Sequence, residues 1–254
     1  MARRSRMLLL VKQRGEIMRV TMIHLFLLTV LMLTISFVWS TAQAPPTVEQ
    51  ELRKYGIPIR RSDLQSALSD NRPVVRGLAA SELAEMKDVE SVSLIVAALD
   101  NEGDPKVRFN MASALVRLGS QVGNQELTHI CDDATSPDDH RLNAAHSLVV
   151  VGDYSCLSSI QSIMRTTTNS GVKVFALQTL ARVKVIPASL APAIHSELLA
   201  SLQYPDSSVR LYASKCIASL GDKAAAPNLR AAIARERDRP TRKQMEESLS
   251  MLEK

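Results

Sequence analysis

Aromatic side chains are scarce in this chain of 254 residues: they make up 4% of it, with one tryptophan. That residue, Trp39, precedes the repeated part, which is left with Phe109, Phe175 and four tyrosines. That supply argues against a sugar-stacking surface. Nine glycines leave little material for phosphate-cradling loops, and no Gly-x-Ser-x-Gly, P-loop or Cys-x-x-Cys occurs. Cationic excess is confined to the start. Of 31 Lys plus Arg, six lie in residues 1–44; of 26 Asp plus Glu, only Glu16 does. The remainder holds 25 of each and is neutral, which removes the main argument for nucleic-acid binding.

The segment Val20–Ser40 carries no formal charge, follows Arg3, Arg4, Arg6, Lys12, Arg14 and Arg19, and precedes the small residues Ser40 to Ala44. Two readings fit. A signal peptide is preferred, cut after Ala42 because Pro45 disfavours cutting after Ala44, with Met18 as a possible true start. The alternative is an uncleaved inner-membrane anchor, since the stretch is long enough to span a bilayer. Both place the rest of the chain outside the cytoplasm, periplasmic or secreted.

What the chain has in quantity is a repeat. Val75-Arg76, Val107-Arg108, Val172-Lys173 and Val209-Arg210 share a small apolar residue followed by a cation; His140-Arg141 and Thr241-Arg242 are degraded copies. The cations advance by 32, 33, 32, 37 and 32 residues, the period of stacked helical hairpins. Three residues beyond each cation stand Ala79, Met111, Ala144, Ala176, Ala213 and Met245. Seven beyond stand Leu83, Leu115, Leu148, Leu180, Ile217 and Leu249; ten beyond, Met86, Leu118, Val151, Val183, Leu220 and Leu252. These spacings trace one helical face, with the plus-three positions, mostly alanine, allowing close packing. Gly119, Gly152 and Gly221 end the first helices, and Asp104 and Ser136 are expected caps. The longer fourth step places an inserted loop at Val185–Ser189.

These residues resemble the HEAT family, in particular its short bilin-lyase-type repeat; Asp104 to Gly119 and Asp206 to Asp222 are the best-matching stretches. The resemblance implies an all-α fold, an α-α superhelix of about five hairpins over residues 62–254. Half-repeats cap its ends, and residues 45–61 form an extended lead-in. In that family the second helices line the concave side. The resemblance therefore implies a small, polar inner strip: Gln125, Thr128 and His129; Ser158, Gln161 and Ser162; His195; Asn228 and Arg230. A hydrogen-bonding protein or peptide contact suits such a strip.

Catalytic and metal readings are weak. Metal-binding relatives use His-Glu dipeptides, which this chain lacks, and few aromatics remain for a bilin pocket. His129, His140, His146 and His195 show no ligand spacing, and Asp132, Asp133, Asp138 and Asp139 match no calcium loop. Cys131 and Cys216 fall on core positions and Cys156 beside a turn; a Cys131–Cys156 bridge would join the end of one second helix to the start of the next, too far apart for a disulfide, so three free thiols are expected, with Cys156 a minor route to a dimer. No catalytic, cofactor or metal role is assigned to any residue. The expected function is a non-enzymatic interaction or scaffold module of the cell envelope, whose partner is another exported or membrane protein. A lyase-type enzyme or accessory is one alternative, and a self-associating structural envelope component is another.

Overall fold

The computed structural model describes residues 45–254, so the leader lies outside the described residues. Thirteen α-helices and no strand occur among them. The lead-in is not wholly extended: Val48–Lys54 forms a helix, α1, whose Leu52 is fully buried. One apolar anchor with acidic residues in the first turn and basic ones in the last is enough to order seven residues against a neighbour. Ile57 packs on the same core.

The half-repeat α2 (Arg61–Ala67) follows. Five hairpins then alternate a first and a second helix: α3 (Pro73–Glu85) with α4 (Val92–Asp100), α5 (Pro105–Arg117) with α6 (Gln121–Asp132), and α7 (Asp138–Val150) with α8 (Leu157–Thr166). The last two are α9 (Ser170–Leu180) with α10 (Ala191–Ser201), and α11 (Ser207–Leu220) with α12 (Ala226–Arg235). The helix α13 (Arg239–Leu252) closes the stack as a first helix without its second.

All six plus-three residues are 0% exposed, so the small-residue register is the packing seam of the first helices. The plus-ten register fails twice. Met86 and Val151, the C-cap residues of α3 and α7, are 46% and 47% exposed, whereas Leu118 at the same position packs on the core. The left-handed turn after the first helix is made by Gly119, Gly152 and Gly221, but in the first hairpin by Lys87 at φ 55°. Gly123 has a different reason to be glycine. A β-carbon there would lie 2.6 Å from Val116 N and 2.7 Å from Ala112 O, so α6 starts directly on the backbone of α5.

Caps follow chemistry. Asp104 accepts from the amides of Lys106 and Val107, Asn169 from Gly171 and Val172, Asp206 from Ser208, and Asp238 from Thr241. Ser136 is not the expected cap; Pro137 holds that position, and the Ser136 hydroxyl donates to Asp133 at 2.8 Å.

Candidate functional site

The repeated cation has one job in every hairpin. Arg76 donates to Asp70 O at 2.8 Å, Arg108 to Leu99 O and Glu102 O at 3.0 Å, and Arg141 to Cys131 O at 3.0 Å. Lys173 donates to Met164 O, and Arg210 to Tyr204 O and Pro205 O at 2.8 and 2.7 Å. Each carbonyl belongs to the last turn of the preceding second helix or the loop just beyond it. Those carbonyls have no partner within the helix, and a cation there also meets the negative end of its dipole. The motif is a clamp between successive hairpins rather than a ligand-binding row.

Two clamps carry a buried counterion that the periodic reading missed. Glu102 takes Arg76 at 2.7 and 2.9 Å, and Glu236 takes Arg210 at the same two distances. Their carboxylate side chains are 2% and 1% exposed. The arginine beside each holds its carboxyl below the usual glutamate range, against the opposing effect of burial. The signal was present: both glutamates stand two residues before a helix-capping aspartate, Asp104 and Asp238.

The polar strip on the second helices divides into two populations. Part of it is a ladder of rungs between neighbouring hairpins. Arg61 reaches Asp88 at 2.8 Å, Gln65 reaches Ser91 at 2.8 Å and Asn124 reaches Asp153 at 2.7 Å. Thr128 meets Ser155 at 3.2 Å, Ser159 donates to Asp132 at 2.6 Å, Gln161 reaches Glu197 at 3.4 Å and His195 pairs with Asp222 at 2.6 Å. Arg230 is tied to Glu253, the C-cap residue of α13. Asp88, Asp153 and Asp222 each follow the left-handed residue of their hairpin, which aims them back at the preceding second helix.

The other population faces solvent. Gln125, His129, Ser158 and Asn228 are exposed; Ser162 is half-buried, and its carbonyl accepts from the Thr166 hydroxyl. Of the predicted strip, then, Thr128, Gln161, His195 and Arg230 are occupied by the stack itself.

The Cys131–Cys156 pair overturns the expectation of three free thiols: it is a disulfide with its Cα atoms 6.2 Å apart. The error lay in assuming that neighbouring second helices run level. The rungs Asn124–Asp153, Thr128–Ser155 and Asp132–Ser159 set the start of α8 beside the last turn of α6. Cys156, the N-cap residue of α8, thus meets Cys131. Both are buried, which leaves Cys156 no route to a dimer. Asp132 brings a carboxylate oxygen to within 4.8 Å of both sulfurs, but sulfurs joined to each other offer no thiolate to a metal. Cys216 is free and fully buried, and burial pushes its thiol far above the ordinary range.

Two cavities border the histidines of the strip. One, of about 670 Å³, lies between hairpins two and three and is bordered by His129, His140, Arg108, Glu126 and Asp133. Arg108 and Glu126 neutralise each other at 2.6 Å. Asp133 is held at about 2 by hydrogen bonds from Thr135 and Ser136, so it caps its own loop as a full anion. His140 leans on the Phe109 ring at 5.7 Å, whereas His146 packs on Phe175 at 5.1 Å and meets Thr179 at 3.1 Å. Burial lowers the His146 pKa and favours its neutral form. The second cavity, of about 430 Å³, lies beside the inserted loop, with Ile186, Ile194, Leu198 and Leu220 in its wall and the His195–Asp222 pair at its edge.

Residues 62–148 match the protein family described as HEAT repeats, from α2 nearly to the end of α7. No curated protein matches the chain. Among solved structures, an engineered protein is similar at 16% identity, covering 74% of this chain and 96% of that one with a TM-score of 0.49. Human deoxyhypusine hydroxylase, solved with glycerol, is similar at 17% identity over 80% of this chain and 88% of that one, TM-score 0.32. One chain of the phycocyanin lyase complex from Nostoc is similar at 17% identity over 83% of this chain and 96% of that one, TM-score 0.36.

Proposed function

We propose that this HEAT-type solenoid is a non-enzymatic protein-binding module of the cell envelope, working outside the cytoplasm on another exported or membrane protein. The observation that carries the reading is the division of the strip. Rungs hold the second helices together, and between them Gln125, His129, Ser158 and Asn228 offer uncharged or weakly basic hydrogen-bonding groups on a preformed surface. A surface already ordered by its own stack loses little conformational freedom on binding. The apolar, uncharged segment near the start supports export, as does a buried disulfide, since such bonds persist in oxidising compartments.

The test is affinity capture from the source cell envelope with the full chain as bait. A control bait carries Gln125→Glu, His129→Glu and Ser158→Glu. Thr128 and Gln161 stay intact because they bridge hairpins, and their loss would disturb the stack itself. A partner held by the native bait and lost by the control supports the reading; identical recovery by both overturns it. One observation favours a second reading, a ligand-binding accessory: the His195–Asp222 pair beside an apolar cavity. His195→Ala would then abolish small-molecule binding while leaving protein capture unchanged.

A further inference from the structure

The neutrality of the repeat domain conceals a division. Residues 48–169 hold 12 basic and 17 acidic side chains, whereas residues 170–254 hold 13 basic and 8 acidic. Part of the imbalance lies on one edge, formed by the loops that lead from each second helix to the next first helix; Arg182, Lys184 and Lys223 stand on the opposite edge. Neighbouring loops touch along the first edge: the Tyr204 hydroxyl donates to Thr168 O at 2.9 Å.

Along this edge the loops change sign in order. Around the α4–α5 and α6–α7 loops stand Asp100, Asp104, Asp132, Asp133, Asp138 and Asp139. Asp138 lies 3.6 Å from Arg141; the others have no cation partner among the described residues, and Lys106 is the exposed cation nearby. The α8–α9 and α10–α11 loops are nearly neutral, reading Thr167-Thr168-Asn169 and Leu202 to Asp206, with Arg165 at their border. The α12–α13 loop is basic. Arg235, Arg237, Arg239 and Lys243 are exposed and Arg242 is half-buried, and none has an ion-pair partner among the described residues. Its own carboxylates are already used: Glu236 by Arg210, and Asp238 as the cap of α13. Arg239, Arg242 and Lys243 also crowd the positive end of the α13 dipole, where a counter-anion is favoured.

We propose that this edge pairs two copies of the chain about a two-fold axis between the two neutral loops, each acidic α6–α7 loop facing the basic α12–α13 loop of the other copy. From the α6–α7 loop onward the order is acidic, neutral, neutral, basic, which is self-complementary when reversed, the condition for an isologous contact; the α4–α5 loop lies beyond the paired stretch. Three hairpin steps separate the patches, about 25–30 Å at ordinary helix spacing, so the two contacts of such a dimer lie far apart. They stand well beyond the Debye length of about 8 Å at physiological salt, and act as independent, salt-sensitive clasps. Between the patches, Gln203 and Tyr204 border a cavity of about 470 Å³ that runs on to Arg235 and Arg237 of the basic loop.

The test uses full-length copies bearing two different tags, produced together and captured through one tag. Native copies are expected to co-purify at low salt and to separate at high salt. A copy with Arg237→Glu and Arg239→Glu should no longer pair with itself, and neither should one with Asp138→Arg and Asp139→Arg. The two variants mixed should pair again, because both clasps are then complementary; recovery within about threefold of native is expected, against a loss of tenfold or more for each alone. Melting curves establish that both variants remain folded. Failure of native copies to co-purify, or of the mixture to recover, overturns the proposal. So does binding of the basic loop to anionic vesicles or nucleic acid while native copies stay apart.

Discussion

Glu236→Ala should be among the most damaging single substitutions on the chain. The native carboxylate is 1% exposed and receives Nε and Nη2 of Arg210 at 2.7 and 2.9 Å. One of its oxygens also accepts the amides of Arg237 and Asp238 at 2.8 and 3.0 Å. Alanine leaves a guanidinium with 21% of its side chain exposed and no counterion, together with two amides that lose their acceptor. Breaking one side of such a pair costs about 3–5 kcal/mol. The carbonyls of Tyr204 and Pro205 still receive Arg210, which argues for the lower half of that range. With a urea slope of about 2–3 kcal/mol/M, the midpoint should fall by roughly 1–2 M. Replacing both partners by apolar residues, Arg210→Met with Glu236→Leu, should cost less than Glu236→Ala alone, because no charge is stranded.

Acid should erase the difference. The folded pKa of Glu236 is depressed by Arg210, so its contribution is complete above the unfolded value of about 4.3 and is lost as pH falls through the folded value. The assay is urea unfolding followed by circular dichroism at neutral and acid pH. A loss under about 0.5 kcal/mol, typical of surface changes, or a double replacement worse than the single one, would show that Arg210 does not depend on Glu236. The exposed pair Arg117–Glu85, at 2.6 Å, is the control; Glu85→Ala should cost about 0–1 kcal/mol.

Other perturbations have equally definite outcomes. Replacing both Cys131 and Cys156 by serine opens a link between residues 25 apart, worth about 3.5 kcal/mol by loop-closure entropy, and native peptide mapping without reductant should recover the linked pair. Gly123→Ala pushes a methyl against Val116 N and Ala112 O, which cannot yield without moving α5, so thermal melting should show a loss of about 2–3 kcal/mol. Lys87→Gly relieves a left-handed lysine on an exposed turn and should raise stability by roughly 0.5–1 kcal/mol in the same assay.

Much of the architecture was legible in the sequence because a helical stack is local. The Val-Arg period, the alanine or methionine three residues on and, in three hairpins, the glycine after the tenth residue are all contained in one hairpin, and they mark the first helices of the five hairpins and α13. What escaped was relational. The stagger of α8 against α6 decides whether Cys131 meets Cys156, and no single repeat encodes it. The polar strip was read as a free surface because Thr128, Gln161 and His195 face outward from their own helices. Their partners, Ser155, Glu197 and Asp222, lie 27 to 36 residues away on the next hairpin. The lead-in was read as extended because one buried leucine in α1 gives almost no periodic signal. Glu102 and Glu236 sit in loops, where a carboxylate reads as solvated until the arginine of the preceding first helix closes over it.

The central functional claim is that the second-helix strip is the face that meets a partner. It is tested most directly by placing a photo-crosslinking side chain, one position at a time, in the full chain inside the source cell. Gln125, Ser158 and Asn228 sample the strip, while Val150 and Glu247 sample exposed positions on first helices. One shared crosslinked partner is expected from the three strip positions, and none of it from the other two. The same partner captured from Val150 and Glu247, or no common partner along the strip, would contradict that claim.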